Sequence, residues 1–215
     1  MKVELLPIVE YRKRYFVYAY FENNNGVKYR RFADIIRDGH IEDDIEAYII
    51  MINPGSCHEK SNENQIKNTL FYKGFEMVET VSDMAQKCVM SLMDVCKMNK
   101  IRILNLTDYV GGNFDKVLKD KDKWGESVFS EQRTSELERY MPTKAVCIAS
   151  WGTNDKLRNI KEMAYNRLGA ERIIGYVDDK NKFSYRYIKP RGIEKQKEVI
   201  TVIAKEYYKY IEKCL

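Results

Sequence analysis

Ala47-Tyr48-Ile49-Ile50-Met51-Ile52-Asn53-Pro54-Gly55 is a run of six apolar residues ending in a three-residue stop. The run does not alternate with polar residues, as expected of a strand buried on both faces. Pro54 has no N–H to continue a ladder and biases Asn53 toward an extended backbone, and Gly55 permits the turn beyond. Two further core strands are expected downstream. One is Ile101-Arg102-Ile103-Leu104-Asn105-Leu106. The other is Lys144-Ala145-Val146-Cys147-Ile148-Ala149-Ser150, which runs into Trp151-Gly152-Thr153.

Helices are expected after these strands. Val81, Met84, Cys88, Leu92 and Val95 recur every three or four residues and predict an amphipathic helix over residues 80–97. Residues 130–140, with Ser130 as cap, and 154–168, stopped by Gly169, read as two more, and a long helix over 194–212 closes the chain. Short strands are expected at 172–177 and 183–188, around an Asp178-Asp179-Lys180-Asn181 turn. Upstream, Asn25-Gly26 between the aromatic-rich runs 14–21 and 27–32 predicts an antiparallel hairpin at or near a sheet edge. Residues 56–74 and 111–129 read as loops. Strands followed by helices imply right-handed crossovers, so the expected fold is a three-layer α/β/α domain with a mostly parallel sheet and an N-terminal hairpin.

At 215 residues, with 44% hydrophobic and 32% charged residues, the chain is read as one globular domain, with a monomer favoured. No secretory signal and no membrane-length apolar run is visible. The five cysteines are odd in number, form no Cys-x-x-Cys pair and mostly fall in apolar patterns, as expected of reduced thiols in the cytoplasm. With only His40 and His58 available, neither a zinc site nor a Ser-His-Asp triad is expected. No Walker loop or Gly-x-Gly-x-x-Gly occurs, and no cofactor is implied. A net charge of +5 permits a DNA partner.

Ligands of open parallel sheets bind beyond the carboxyl ends of the strands. Those ends gather Met51, Asn53, Pro54 and Gly55, then Asn105, Asp108 and Tyr109, then Trp151 and Gly152. Lys189-Pro190-Arg191-Gly192 lies just before the last helix, and Phe71 and Tyr72 could stack on a planar ligand. Each residue also has a structural use: Asn53 as a turn former, Asn105 as a bridge between loops, the aromatics as core, and Lys189 and Arg191 as solvated charges.

The ordered set Asn53-Pro54-Gly55, Leu104-Asn105-Leu106 and Ala149-Ser150-Trp151-Gly152 resembles, over roughly residues 14–190, a bacterial and phage family of unassigned function. That family carries Leu-Asn-Pro-Ser, Val-Asn-Leu and Ala-Trp-Gly in this order. More distantly, Met51-Ile52-Asn53-Pro54-Gly55 is similar to the Gly-Ile-Asn-Pro-Gly of uracil-DNA glycosylases, especially the mismatch-specific thymine/uracil branch. The resemblance implies base excision from DNA, with Asn53 positioning the attacking water and Asn105 or Asp108 supporting the pocket. Residues 189–192 would stand where that family inserts a segment into the duplex. The chain departs from the pattern at Met51, where the family has glycine, and at Lys189 and Arg191. Two functions are therefore expected to compete: a hydrolase that cleaves the N-glycosidic bond of a flipped altered, modified or mismatched base, and a non-catalytic nucleotide or nucleic-acid binding module using the same pocket.

Overall fold

The computed structural model describes residues 3–55, 58–60, 68–112, 114–178 and 181–214. After a short helix α1 (Ile8–Arg12), strands β1 (Tyr15–Asn24) and β2 (Val27–Arg37) form the expected hairpin. Asn25 and Gly26 both take positive φ, 50° and 77°, the turn geometry that matches the right-handed twist of the strands. Then come β3 (Ala47–Met51), β4 (His58–Glu59), β5 (Thr69–Tyr72), β6 (Phe75–Val81), α2 (Met84–Cys96) and β7 (Lys100–Asn105). The chain continues through α3 (Phe114–Lys119), α4 (Thr134–Tyr140), β8 (Val146–Ala149), α5 (Arg158–Leu168), β9 (Ile173–Ile174) and α6 (Ile193–Cys214).

The strands lie in the order β4-β6-β1-β2-β7-β3-β8-β9, with β5 on β6. Only β7-β3, β3-β8 and β8-β9 pair in parallel; the remaining pairs are antiparallel. The fold is thus α/β with a mixed sheet, not the mostly parallel one expected. The hairpin also lies in the sheet interior, between β6 and β7, rather than near an edge. The cause is the β5–β6 hairpin, in a stretch read as loop and helix start. Lys73 and Gly74, with φ of 48° and 81°, make a tight turn there, and β6 covers the outer side of β1.

Other expectations shift by smaller amounts. The helix over 80–97 starts only at Met84, because Asp83 caps it: its Oδ1 accepts from the backbone N–H of Ala85 and Gln86, each at 2.9 Å, while the Gln86 side chain answers the Asp83 N–H. Ser130 caps nothing with its side chain. Residues 183–188 form no strand and contribute only isolated bridges at Tyr185, and part of the turn expected at 178–181 lies outside the described residues. Within the loop expected at 111–129, Phe114–Lys119 is helical. Cys88, Cys96 and Cys147 are free and buried, Cys214 is free and exposed, and Cys57 is outside the described residues. No helix among the described residues is long and apolar enough to cross a membrane.

Alternate residues of the core strands feed two apolar clusters. Ile35, Ile49 and Ile103 pack with Val89 and Leu92 of α2 and Ile200 and Ile203 of α6. Tyr48, Ile50 and Leu104 pack with Leu137 and Tyr140 of α4 and Ala164 and Leu168 of α5. Each such side chain contributes roughly 1.5–3 kcal/mol on burial. Across the β2–β7 seam, Asp34 faces Arg102 and the two form a bidentate ion pair, both bonds 2.7 Å, with side chains 0% and 2% exposed. Arg102 also donates to the Tyr140 carbonyl and lies 3.9 Å from the centre of the Phe32 ring.

Removing one partner of such a pair strands a buried charge. Asp34→Ala is expected to lower the unfolding free energy in a urea titration by about 3–5 kcal/mol, and Asp34→Leu combined with Arg102→Met to recover most of it. A loss below about 1 kcal/mol for Asp34→Ala, the size of an ordinary surface change, would show that the seam does not rest on this pair.

Candidate functional site

A cavity of about 710 Å³ opens beyond the carboxyl end of β3. It falls within the ~300–1,000 Å³ range of small-ligand sites. Its wall includes Ile52, Asn53 and Gly55 from the strand end, Asp83, Met84 and Ala85 from the start of α2, and Gly112 and Phe114 from the segment after β7. Thr153 and Asn154, after β8, and Tyr187 and Lys189, before α6, complete it.

Asn53 is the best defined of these groups. Its amide Nδ2 donates to the Gly112 carbonyl at 3.3 Å, which fixes which end of the amide is which. Its Oδ1 has no partner among the described residues and remains an acceptor on the cavity wall. Gly55 holds the turn at φ 68°, and a Cβ there would lie 2.9 Å from Asp83 Oδ2, so glycine lets the strand end and the helix cap approach. With Oδ1 of Asp83 spent on the cap, Oδ2 is left beside Gly55 without a hydrogen-bond partner among the described residues. Asp83 is therefore the one carboxylate in the described cavity wall, and its negative charge sits well at a helix N-terminus.

The opposite wall is held by a buried cation. Lys161, 2% exposed, donates to the carbonyls of Gly152 at 2.7 Å and Asn154 at 2.9 Å, pinning the loop that carries Thr153 and Asn154. Burial pulls its pKa down to about 8, against a smaller upward pull from Asp155. The Tyr187 hydroxyl is pushed well above the usual tyrosine range, first by burial and then by the charge of Asp83.

Of the residues singled out from the sequence, Asn53, Gly55 and Lys189 line the cavity. Met51 and Pro54 are buried at the same strand end, and Asn105 pairs with Met51 on the neighbouring strand, fully buried. Asp108 is elsewhere. Its Oδ2 accepts from Arg31 at 3.0 Å and Arg133 at 2.8 Å in a buried ion network, and it does not line the cavity. Burial pushes its carboxyl up while the two arginines pull it down. Tyr109 is buried with its hydroxyl on Asp120. Trp151 is core: it has no exposure, donates to the Phe183 carbonyl and stacks edge-on with Tyr185. Phe71, 75% exposed, and Tyr72, under the Lys100 ammonium, belong to β5 and reach no part of the cavity wall. Gly152 borders the wall, Pro190 accepts from Gln196 at the start of α6, and Arg191 and Gly192 are exposed.

Asp83 and Tyr187 were not singled out. Asp83-x-x-Gln86 is a capping-box pattern visible in the sequence; Tyr187 carries no such mark. Among the described residues no cluster of His, Cys, Asp and Glu could hold a metal. No family model, no curated protein and no solved structure matches the chain.

Lys161 gives the wall a pH signature. Its folded pKa, near 8, lies below the ~10.4 of an unfolded lysine, so between those values the unfolded chain holds more protons and stability rises with pH. Below about pH 8 the cost of burying the cation is felt in full. Unfolding free energies of wild type minus Lys161→Met, measured from pH 7 to pH 9.5, are expected to climb. A flat difference would contradict this placement of the lysine.

Proposed function

We propose that the chain is a DNA glycosylase-like hydrolase that cleaves the N-glycosidic bond of an altered, modified or mismatched base flipped into the cavity beyond β3. The observation that carries this reading is the committed amide of Asn53. With Nδ2 spent on Gly112, only the carbonyl oxygen is left to hold a water by its proton. An amide cannot take that proton, but a carboxylate can, and Asp83 is the one beside it.

In this reading the water oxygen attacks C1′ of the sugar as the C1′–N bond breaks, and the bonding electrons leave with the base. Asp83 Oδ2 receives the proton released by the water, and the base nitrogen is protonated after departure. Positioning and electrostatics supply most of the acceleration. Asp83 thus takes the role that the sequence suggested for Asp108. Ile52, Met84, Phe114 and Tyr187 offer apolar surface for a planar base. Lys189, at the exposed rim, and Arg191 just beyond it suit contacts with phosphates of a DNA partner. A three-layer arrangement fits the same reading, since α2 and α6 contribute to one apolar cluster and α4 and α5 to the other.

The competing reading, a binding module without chemistry, draws on the fact that Asp83 also caps α2. The test is base release from duplex and single-stranded DNAs carrying uracil, mismatched thymine and phage-type modified bases, read as alkaline cleavage at abasic sites. Asn53→Ala and Asp83→Asn are each expected to reduce release about 10²–10⁴-fold. Asparagine still caps a helix, so Asp83→Asn should leave the melting temperature almost unchanged. DNA binding with no release from any substrate would transfer the assignment to the binding module.

A further inference from the structure

Strand β1 carries an irregularity between Tyr20 and Phe21: Tyr20 faces Phe32, but Phe21 faces Arg30, leaving Arg31 as the extra residue of a bulge in β2. A bulge re-aims side chains. Arg31 leaves for Glu22 and Asp108. Arg30, opposite Phe21, shares the sheet face of the α2–α6 cluster against which Phe21 packs. Asn105 alternates in β7 with Ile101 and Ile103 of that cluster and so lies on the same face. The two are also at the same end of the sheet, because the Arg30 N–H donates to the Asp108 carbonyl, three residues past Asn105.

Neither side chain is satisfied. Arg30 is 1% exposed, and its Nε and Nη1 have no partner; Asn105 is 0% exposed, and both Nδ2 and Oδ1 have none. The other fully buried cations are all engaged. Arg102 has the Asp34 carboxylate, Lys100 the Ile41 carbonyl, and Lys161 two carbonyls. A buried guanidinium without an anion is costly, and such groups mark places where something else completes the site. The cavity is within electrostatic reach: Tyr187 and Asp83 line it, and the Arg30 charge opposes the upward push of burial and of Asp83 on the Tyr187 hydroxyl.

We infer that Arg30 and Asn105 form the inner end of the cavity's ligand site and hold an oxyanion carried by a planar ring compound. The guanidinium edge matches a two-oxygen acceptor, and the Asn105 amide offers one donor and one acceptor to the ring edge. This ligand class holds whether or not the bond is cleaved, so it does not depend on the glycosidase reading.

Two measurements on the intact chain test it. In the first, the ligand-free melting temperature of Arg30→Met is compared with wild type. Removing an unpaired buried charge is expected to raise it by several degrees, the mark of a residue kept for binding at the expense of stability. In the second, sodium 5-carboxyuracil, uracil and inorganic phosphate are titrated by calorimetry into both proteins. 5-Carboxyuracil is expected to bind wild type at least tenfold more tightly than Arg30→Met, with uracil showing no such difference. Phosphate discriminating in the same way would show that the oxyanion alone is held. A melting temperature lowered by Arg30→Met, or no anion preferring wild type, would overturn the inference. Base release that persists unchanged in Arg30→Met would also reject it, while leaving the hydrolase reading intact.

Discussion

Between β2 and β7 an antiparallel hairpin is joined to a parallel core, and Asp34 and Arg102 hold the joint with almost no exposure. Because strand side chains alternate with a period of two, a slip of one residue would exchange the two faces of the hairpin. Hydrophobic pairs alone would resist that slip weakly, since apolar residues occur on both faces of β2: Phe32 in one cluster, Ala33 and Ile35 in the other. A bidentate ion pair tolerates no slip, because a misregistered Arg102 would be a buried charge without a partner. The bulge at Arg31, the assignment of Arg30 and Arg31 to opposite faces, and the alignment of Arg30 with the carboxyl end of β7 all rest on this register.

The cavity follows from how the parallel strands stop. Pro54 and Gly55 end β3 abruptly, so Asn53 stands at the strand tip and binds Gly112 rather than a neighbouring strand. The helix that covers this end begins with an aspartate whose two oxygens divide the work, one capping α2 and the other free beside Gly55. Lys161 steadies the far wall through two backbone carbonyls. Acceptors at Asn53 and Asp83 and cations at Lys189 and Arg30 are thereby arranged around one space, with apolar surface between them.

Much of this was legible in the residues. The unalternating run at 47–52 and its Asn-Pro-Gly stop marked the central strand, and Asn25-Gly26 marked the hairpin. The place of the hairpin was not legible, because it depends on β6. Phe75, Met77 and Val81 could join either a strand or the start of the next helix, and the Lys73-Gly74 turn is a weaker signal than Asn-Gly. Asp108 looked like a site residue because it follows a strand end, and only the tertiary fold brings Arg31 and Arg133 to its carboxylate. Arg30 and Arg31 read as an exposed basic pair. A one-residue bulge leaves no trace in composition or periodicity, so the burial of Arg30 could come only from the register.

The most direct measurement is a crystal structure of the free chain at a resolution that shows ordered water. An ordered water on Asn53 Oδ1 within the cavity, and a bound anion or water cluster against Arg30 with no protein carboxylate beside it, is the expected result. A cavity closed by the chain's own side chains, with Asn53 Oδ1 bonded back into its own turn and Arg30 paired to an Asp or Glu, would contradict a ligand site beyond β3.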